Sequence, residues 1–346
     1  MAGWALCAAL PTLALLLASG CGEPPPDNVR WSLLAVGDTG ADPNNATDYA
    51  RALAVGSAMA DEDQERPVDA LLLLGDNFYP NGLKRRELID RVRSNVVRQF
   101  CHFVAGDAKR YREVADACML PLARRHPIPI YALLGNHDYD SPESPELQRS
   151  TLPQLVSNWQ MARGAAEVSE VLDRVSLVLV DSEALLESGS IAPLVAALRA
   201  ARGPWRVLAS HRPMAMVRNR DDSTPNPGYA ALLERAIAEA DVNVQLVLSG
   251  HEHWLAVLEM DEPNPPLHVI SGAGSDLRKR RDSEPNTRAE FKSLGYVRLD
   301  WVGPARGGRM LVSLYRVPRY AWLRAFGRRR LAARWSVDVE GEIRRE

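Results

Sequence analysis

The sequence predicts an α/β fold on three observations. Short apolar runs, rich in leucine and valine, recur along the chain, and each ends in a cluster of polar residues. Segments with alanine and leucine at helical spacing lie between several of these runs. After Gly295 the pattern changes to alternation of apolar and polar residues. Strands that alternate with helices build a sheet whose strands are buried. Functional groups then gather beyond the carboxyl ends of those strands.

In chain order, a strand over 31–36 leads to Gly37-Asp38, and a helix is predicted over 48–59. A strand over 70–74 ends at Gly75-Asp76, and one over 128–134 at Gly135-Asn136-His137. The run 175–180 precedes Asp181-Ser182, and a helix follows over 191–201. The run 206–209 leads to Ser210-His211, with a helix over 229–240. The runs 244–248 and 268–270 end at Ser249-Gly250-His251 and at the turn Ser271-Gly272-Ala273-Gly274, whose glycines let backbone approach closely. The alternating runs 296–302 and 309–317, joined through Gly303 to Gly308, read as an antiparallel hairpin. Residues 318–346 are rich in arginine and carry Trp322 and Trp335. A terminal surface helix with a solvated basic face is expected there, the other reading being a basic-aromatic stripe against membrane phosphates.

The chain has 346 residues, 46% of them hydrophobic and 25% charged, which are globular values. A formal net charge of -2 gives no basic field, so nucleic acid is not an expected partner. Residues 1–20 contain no charged side chain, and Leu17-Ala18-Ser19-Gly20 leads into Cys21 and then three prolines. This stretch resembles a bacterial lipoprotein signal. The resemblance implies cleavage before Cys21, a lipid on that cysteine, and export to the periplasm or cell envelope with a lipid anchor in the membrane. The first residues lack the usual Lys or Arg. A plain secretory signal with Cys21 incidental is the second reading, and retention in the cytoplasm the third. The organisation expected is a signal over 1–20, a proline-rich tether over 21–30, one domain over 31–317 and a basic extension over 318–346. Cys7 would leave with the signal. Cys101 and Cys118 remain, either as a disulfide or as two separate buried thiols.

The chemistry-bearing residues collect at the strand ends: Asp38, Asp76, Tyr79, Asn136, His137, His211, His251 and His253. A carboxylate that ends an apolar strand, as Asp76 does, is costly unless it is paired or coordinated. Carboxylate, amide and imidazole are the donors of a hydrolytic centre with two metal ions. Asp76 is the candidate bridge, one oxygen to each ion. His251 and His253, two apart, can point to one side of an extended segment and serve one ion each.

Gly37-Asp38-Thr39-Gly40, Gly75-Asp76-Asn77-Phe78-Tyr79, Gly135-Asn136-His137-Asp138, Ser210-His211 and Gly250-His251-Glu252-His253 follow one another in that order. Together they resemble the calcineurin-like metallophosphoesterases, over roughly residues 31 to 275. Tyr79, three residues after Asp76, makes the chain most similar to the small purple acid phosphatases of the tartrate-resistant type. The resemblance implies two packed mixed β-sheets flanked by helices, a four-layer αββα arrangement. It implies Fe(III) held by Asp38, Asp76, Tyr79 and His253. A divalent Fe, Zn or Mn would be held by Asp76, Asn136, His211 and His251. It implies that His137 lies beside a small phosphorylated substrate as a phosphate contact or proton donor. A metal-activated hydroxide would attack a phosphate monoester directly, without a phospho-enzyme.

Asp138, Arg212 and Asn77 are candidates for the layer behind the ligands or for substrate contact. Asp138 would orient His137 or else simply occupy a turn. Arg212, standing where the family has an aromatic residue, would add a cation near phosphate or face solvent. Thr39 also departs from the family pattern and concerns only the pocket wall. His102, His126 and His268 read as structural, and Asp181 is assigned no chemistry. Two other functions stay open: a phosphodiesterase or nucleotide hydrolase on the same scaffold, and a binding lipoprotein without catalysis.

Overall fold

Leu33, Leu34, Ala35 and Val36 are all completely buried, because their strand lies inside a sheet covered on both faces. The computed structural model describes residues 26–118, 127–172, 175–214, 227–260, 264–278, 286–304, 307–320 and 328–346. The expected signal, Cys7, Cys21, His126 and Trp322 lie outside the described residues. In chain order the strands are β1 (Val29–Val36), β2 (Ala70–Leu73), β3 (Ile130–Ala132), β4 (Trp159–Met161), β5 (Ala166–Leu172), β6 (Val175–Val180), β7 (Trp205–Ser210), β8 (Leu246–Ser249), β9 (Leu255–Glu259), β10 (Leu267–Ser271), β11 (Thr287–Phe291), β12 (Gly295–Val302), β13 (Arg309–Arg316), β14 (Arg330–Asp338) and β15 (Ile343–Arg345).

They form two sheets. One has eight strands in the order β15-β14-β13-β12-β1-β2-β3-β4, the other seven in the order β11-β9-β10-β8-β7-β6-β5. In the first, β1 to β4 are parallel and form one half of the sheet, with antiparallel β12 to β15 forming the other. In the second, parallel β10, β8, β7 and β6 are flanked by antiparallel β9 and β5. Alternate residues point to opposite faces of each strand. Leu33, Ala35, Leu72 and Leu74 face the other sheet and pack with Leu177, Val207, Leu246 and Val269. Leu34, Val36, Leu71 and Leu73 face outward onto Val55, Ala58 and Met59 of the helix Ala46–Glu65. On the other side Val178, Leu208 and Val247 meet the helices Ala192–Ala200 and Pro227–Ala240. The fold is the four-layer αββα arrangement that the resemblance implied.

The C-terminal segment differs from expectation. Its described part is not a surface helix but the strands β14 and β15, with β14 antiparallel to β13. Alanine and arginine favour helix locally, but Trp335 and Val337 gain burial between the sheets, and that burial outweighs propensity. The arginines at its start are not a solvated stripe. Arg328 pairs with Asp61, and Arg329 with Glu62 and Glu65, all on the helix Ala46–Glu65. Cys101 and Cys118 are disulfide-bonded, with Cα atoms 5.2 Å apart, in the excursion between β2 and β3.

Candidate metal centre

The carboxyl ends of β1, β2, β3, β7 and β8 converge, and each delivers a side chain from the first residues of its loop. Asp38, Asp76 and His251 have φ of 59°, 53° and 67°. Side-chain-bearing residues in this left-handed region cost about 1–3 kcal/mol each and persist where the surroundings over-determine them. Two glycines let the loops come this close. A Cβ at Gly135 would lie 2.2 Å from Asp76 Oδ1, and one at Gly75, itself at φ +88°, would lie 2.6 Å from His211 Nδ1.

Two clusters result. In the first, the Tyr79 hydroxyl stands 2.8 Å from Asp38 Oδ1 and 2.7 Å from Asp76 Oδ2. His253 Nε2 is 3.1 Å from that hydroxyl and 3.3 Å from Asp38 Oδ1. In the second, His211 Nε2 and His251 Nδ1 lie 3.2 and 3.0 Å from Asn136 Oδ1 and 3.2 Å from each other. His211 Nε2 is also 3.5 Å from Asp76 Oδ2. Asp76 Oδ2 thus faces both clusters, while its Oδ1 accepts the backbone N–H of His137 at 2.9 Å. Asp76 would be the residue shared between the two ions. His251 and His253 turn to opposite clusters, and Asp38 sits between them, its Oδ2 accepting the His251 N–H at 2.8 Å.

The donor set fits cations. The Leu74 carbonyl, which can only accept, takes the Nδ1–H of His211 at 2.8 Å. Neutral His211 therefore points a bare lone pair at Asn136 Oδ1 and Asp76 Oδ2. Oxygen and nitrogen lone pairs that converge in a buried site repel unless a proton or a cation lies among them. With protons alone the site is under tension. Burial opposes charge on His211 and His253, yet the carboxylates outweigh it and push His211 up and His253 up to about 9. Burial, His211 and Arg212 hold His251 well below the imidazole range. Burial and the two carboxylates also keep Tyr79 a phenol without metal. Ligand atoms of Asp38, Asp76 and His211 all lie within 4.8 Å of one another, so the two clusters adjoin through Asp76.

His137 stands outside both clusters, partly exposed. Its Nδ1 is 2.7 Å from the Pro80 carbonyl and 3.2 Å from Asp140 Oδ2. Asp138 does not orient it. The Asp138 carboxylate is completely buried and accepts from the backbone N–H groups of Gly135, Asn77 and Phe78 at 3.0, 3.1 and 3.2 Å, and from Gln148 Nε2 at 2.9 Å. Burial and the nearby Asp76 push its pKa up to about 7. It ties the Asp76 loop to the Asn136 loop. Asn77 turns away from the cleft, donating to the Leu133 carbonyl at 2.7 Å. Arg212 makes a two-pronged ion pair with Glu183. His268 is buried with Nε2 2.8 Å from Ser249 Oγ. His102 pairs with Asp63 at 2.6 Å. Asp181 braces the site from behind, taking Tyr139 Oη and Arg149.

The cleft over the first cluster has a volume of about 340 Å³, and Tyr79, His137, His253, Asp42, Asp276 and Arg278 help line it. Its cation is Arg278, a residue no motif marked. Asp276 was equally invisible, because it follows its motif by a few residues and reaches the site only through the fold. A larger cavity of about 540 Å³ adjoins it, sharing Asp42 and Pro80.

Residues 32–255 match the family model described as calcineurin-like phosphoesterase. The chain belongs to that family. Calcineurin-like phosphoesterases work with two metal ions, in keeping with the two clusters around Asp76. This phosphoesterase is 24% identical over 319 residues to tartrate-resistant acid phosphatase type 5 of Rattus norvegicus, which covers 86% of each chain. Its fold is similar to GAP50, the anchor in the inner membrane complex of Plasmodium, with a TM-score of 0.59, 13% identity and coverage of 83% and 84%. It is also similar to a dimetal phosphatase from Danio rerio, with a TM-score of 0.51, 15% identity and coverage of 83% and 96%.

Proposed function

We propose that this phosphoesterase is an exported, lipid-anchored phosphatase that hydrolyses small phosphate monoesters, using Fe(III) beside a divalent Fe, Zn or Mn. The observation that carries the reading is the Tyr79 hydroxyl, set between the carboxylates of Asp38 and Asp76. A phenolate among two carboxylates is a hard, anionic set that suits a trivalent ion. Asp38, Asp76, Tyr79 and His253 would hold it. Asp76, Asn136, His211 and His251 would hold the divalent ion, where the neutral Asn136 oxygen lowers the negative charge. When bound, the two cations supply the Lewis-acid charge that phosphoryl transfer to water needs.

The chain's own residues supply orientation and a proton. The Pro80 carbonyl takes the Nδ1–H of His137, which leaves Nε2 to meet the leaving-group oxygen. A proton held at Nε2 passes to the departing alkoxide as the ester bond breaks. Asp140 Oδ2, 3.2 Å from the same Nδ1, helps to fix the ring. Among the described residues Arg278 has no carboxylate partner, so its guanidinium is available to phosphate oxygens in the cleft. The rings of Tyr79 and His137, with centroids 4.7 Å apart, wall the place where the ester would sit.

Export is supported by the apolar residues 1–20 running into Cys21. The Cys101–Cys118 disulfide suits an oxidising compartment. No helix of the described residues is long and apolar enough to cross a membrane, and the attachment proposed is a lipid on Cys21. Cys21→Ser would then move the protein from the membrane fraction to the soluble periplasmic fraction.

A second reading, hydrolysis of a diester or nucleotide, is favoured by the adjoining cavity of about 540 Å³, which has room for a second substituent. The test compares a chromogenic monoester with its diester across pH, using iron-loaded protein that lacks residues 1–21, beside Asp76→Asn. Monoester turnover that Asp76→Asn abolishes is the expected result. Diester preference would promote the second reading. Metal-replete protein inert toward both would point to a binding role.

A further inference from the structure

His253 raises a question the two clusters leave open. Its Nε2 faces Tyr79 and Asp38, so as a ligand it must present a lone pair there. The ring proton then sits on Nδ1. That nitrogen is buried and has no hydrogen-bond acceptor within reach. A buried N–H without a partner carries its full desolvation cost. His211 meets the same need with the Leu74 carbonyl. Nothing on the main chain does this for His253.

One carboxylate faces the orphaned nitrogen. Asp276 Oδ2 lies 3.7 Å from His253 Nδ1, just beyond hydrogen-bond range. The Asp276 side chain is 45% exposed, free to close that gap by a small rotation. It is also held from swinging away. Arg51 Nη1 stands 3.5 Å from Asp276 Oδ1 and 2.6 Å from Asp48 Oδ1, and Arg51 is itself only 11% exposed. Asp48 belongs to the first turn of the helix Ala46–Glu65, where Asn45 caps it.

We propose that Asp276 is the positioning residue for His253: its carboxylate accepts the Nδ1–H, fixes the ring and raises the donor strength of Nε2. Arg51 and Asp48 hold Asp276 in place, so this ligand is suspended from the helix Ala46–Glu65 as well as from its own loop. The arrangement is the carboxylate–histidine–metal chain, in which the outer partner sets tautomer and basicity. The inference rests on His253 being a ligand.

The test uses full-length protein loaded with iron, in the wild type, Asp276→Ala and Asp276→Asn. The readouts are iron retained against a competing chelator, the visible absorption band of iron bound to Tyr79, and the melting temperature of metal-free protein. Asp276→Ala is expected to weaken iron binding about 10- to 100-fold and to shift or bleach the band. Its metal-free melting temperature should fall only slightly, because the side chain is half exposed and stands 3.7 Å from Nδ1. Asp276→Asn keeps a carbonyl acceptor and should recover most of the affinity. Wild-type protein with the band, beside an Asp276→Ala protein of equal affinity and identical spectrum, overturns the inference alone. Wild-type protein that takes up iron without the band, or takes up none, overturns the ligand reading and the inference with it.

Discussion

Glu183 holds Arg212 by both guanidinium contacts, at 2.6 and 3.0 Å, and so takes the cation next to His211 out of the cleft's service. Arg278 is left as the cation lining the cleft. Arg278→Gln should raise KM for a phosphate monoester roughly tenfold, about one charge-assisted hydrogen bond, with kcat nearly unchanged. Arg212→Gln should alter KM less than about twofold and lower stability by about 1 kcal/mol. Steady-state kinetics and denaturant titration of the pair decide it. Equal KM effects would refute the assignment.

In the proposed function His137 donates through Nε2, so its loss should matter most when the leaving group needs a proton. His137→Ala is expected to lower kcat by about 10²–10⁴ for an alkyl phosphate. For a nitrophenyl phosphate, whose leaving group departs as a stable anion, the loss should be much smaller. A loss independent of leaving-group pKa would mean that His137 only positions phosphate.

Tyr79 predicts a colour. Iron-loaded protein should show a visible charge-transfer band that disappears in Tyr79→Phe, read by absorption spectroscopy. A colourless iron-loaded wild type would remove Fe(III)–Tyr79 from the account and leave the two-metal phosphoesterase standing.

Asp138 accepts hydrogen bonds from three backbone N–H groups and two side chains, and is completely buried. Asn at this position has a single acceptor oxygen and turns an NH2 toward donors. Asp138→Asn should cost about 2–3 kcal/mol of stability and loosen both metal loops. Urea denaturation of metal-free protein measures the first effect apart from the second.

His268 makes stability depend on pH. Burial lowers its pKa from 6.5 to about 3 in the folded chain. Below pH 6.5 the unfolded chain binds a proton that the native chain refuses. Its contribution is therefore complete above that pH and is lost as pH falls toward about 3, at a slope of at most about 1.4 kcal/mol per unit. His268→Gln should flatten this dependence in denaturation curves at pH 4 to 7 (roughly the window between the two pKa values).

Much of this was legible in the residues. Runs that end in Gly-Asp, Gly-Asn-His or Gly-His placed the donors at strand tips, and those tips converge in the structure. Three things were not legible. The runs at 31–36 and 175–180 look alike, yet β1 and β6 lie in different sheets, because sheet membership is set by pairing with distant strands. The segment 330–338 has the local preference of a helix and becomes a strand only because β13 offers an edge. Arg278 and Asp276 belong to no pattern, since only packing brings them to the cleft.

The pairing of β1 has a consequence for how the molecule is made. Asp38 follows a strand that has β2 on one side and β12 on the other, and β12 is synthesised almost a whole chain later. Until the ribosome has released Gly295–Val302, the strand before Asp38 keeps an edge of unpaired backbone N–H and C=O groups. A product that stops short of that segment would be a sticky, protease-sensitive fragment rather than a weaker enzyme. The order of synthesis thus makes the phosphoesterase all-or-nothing: its first donor is in place only once its last strands arrive.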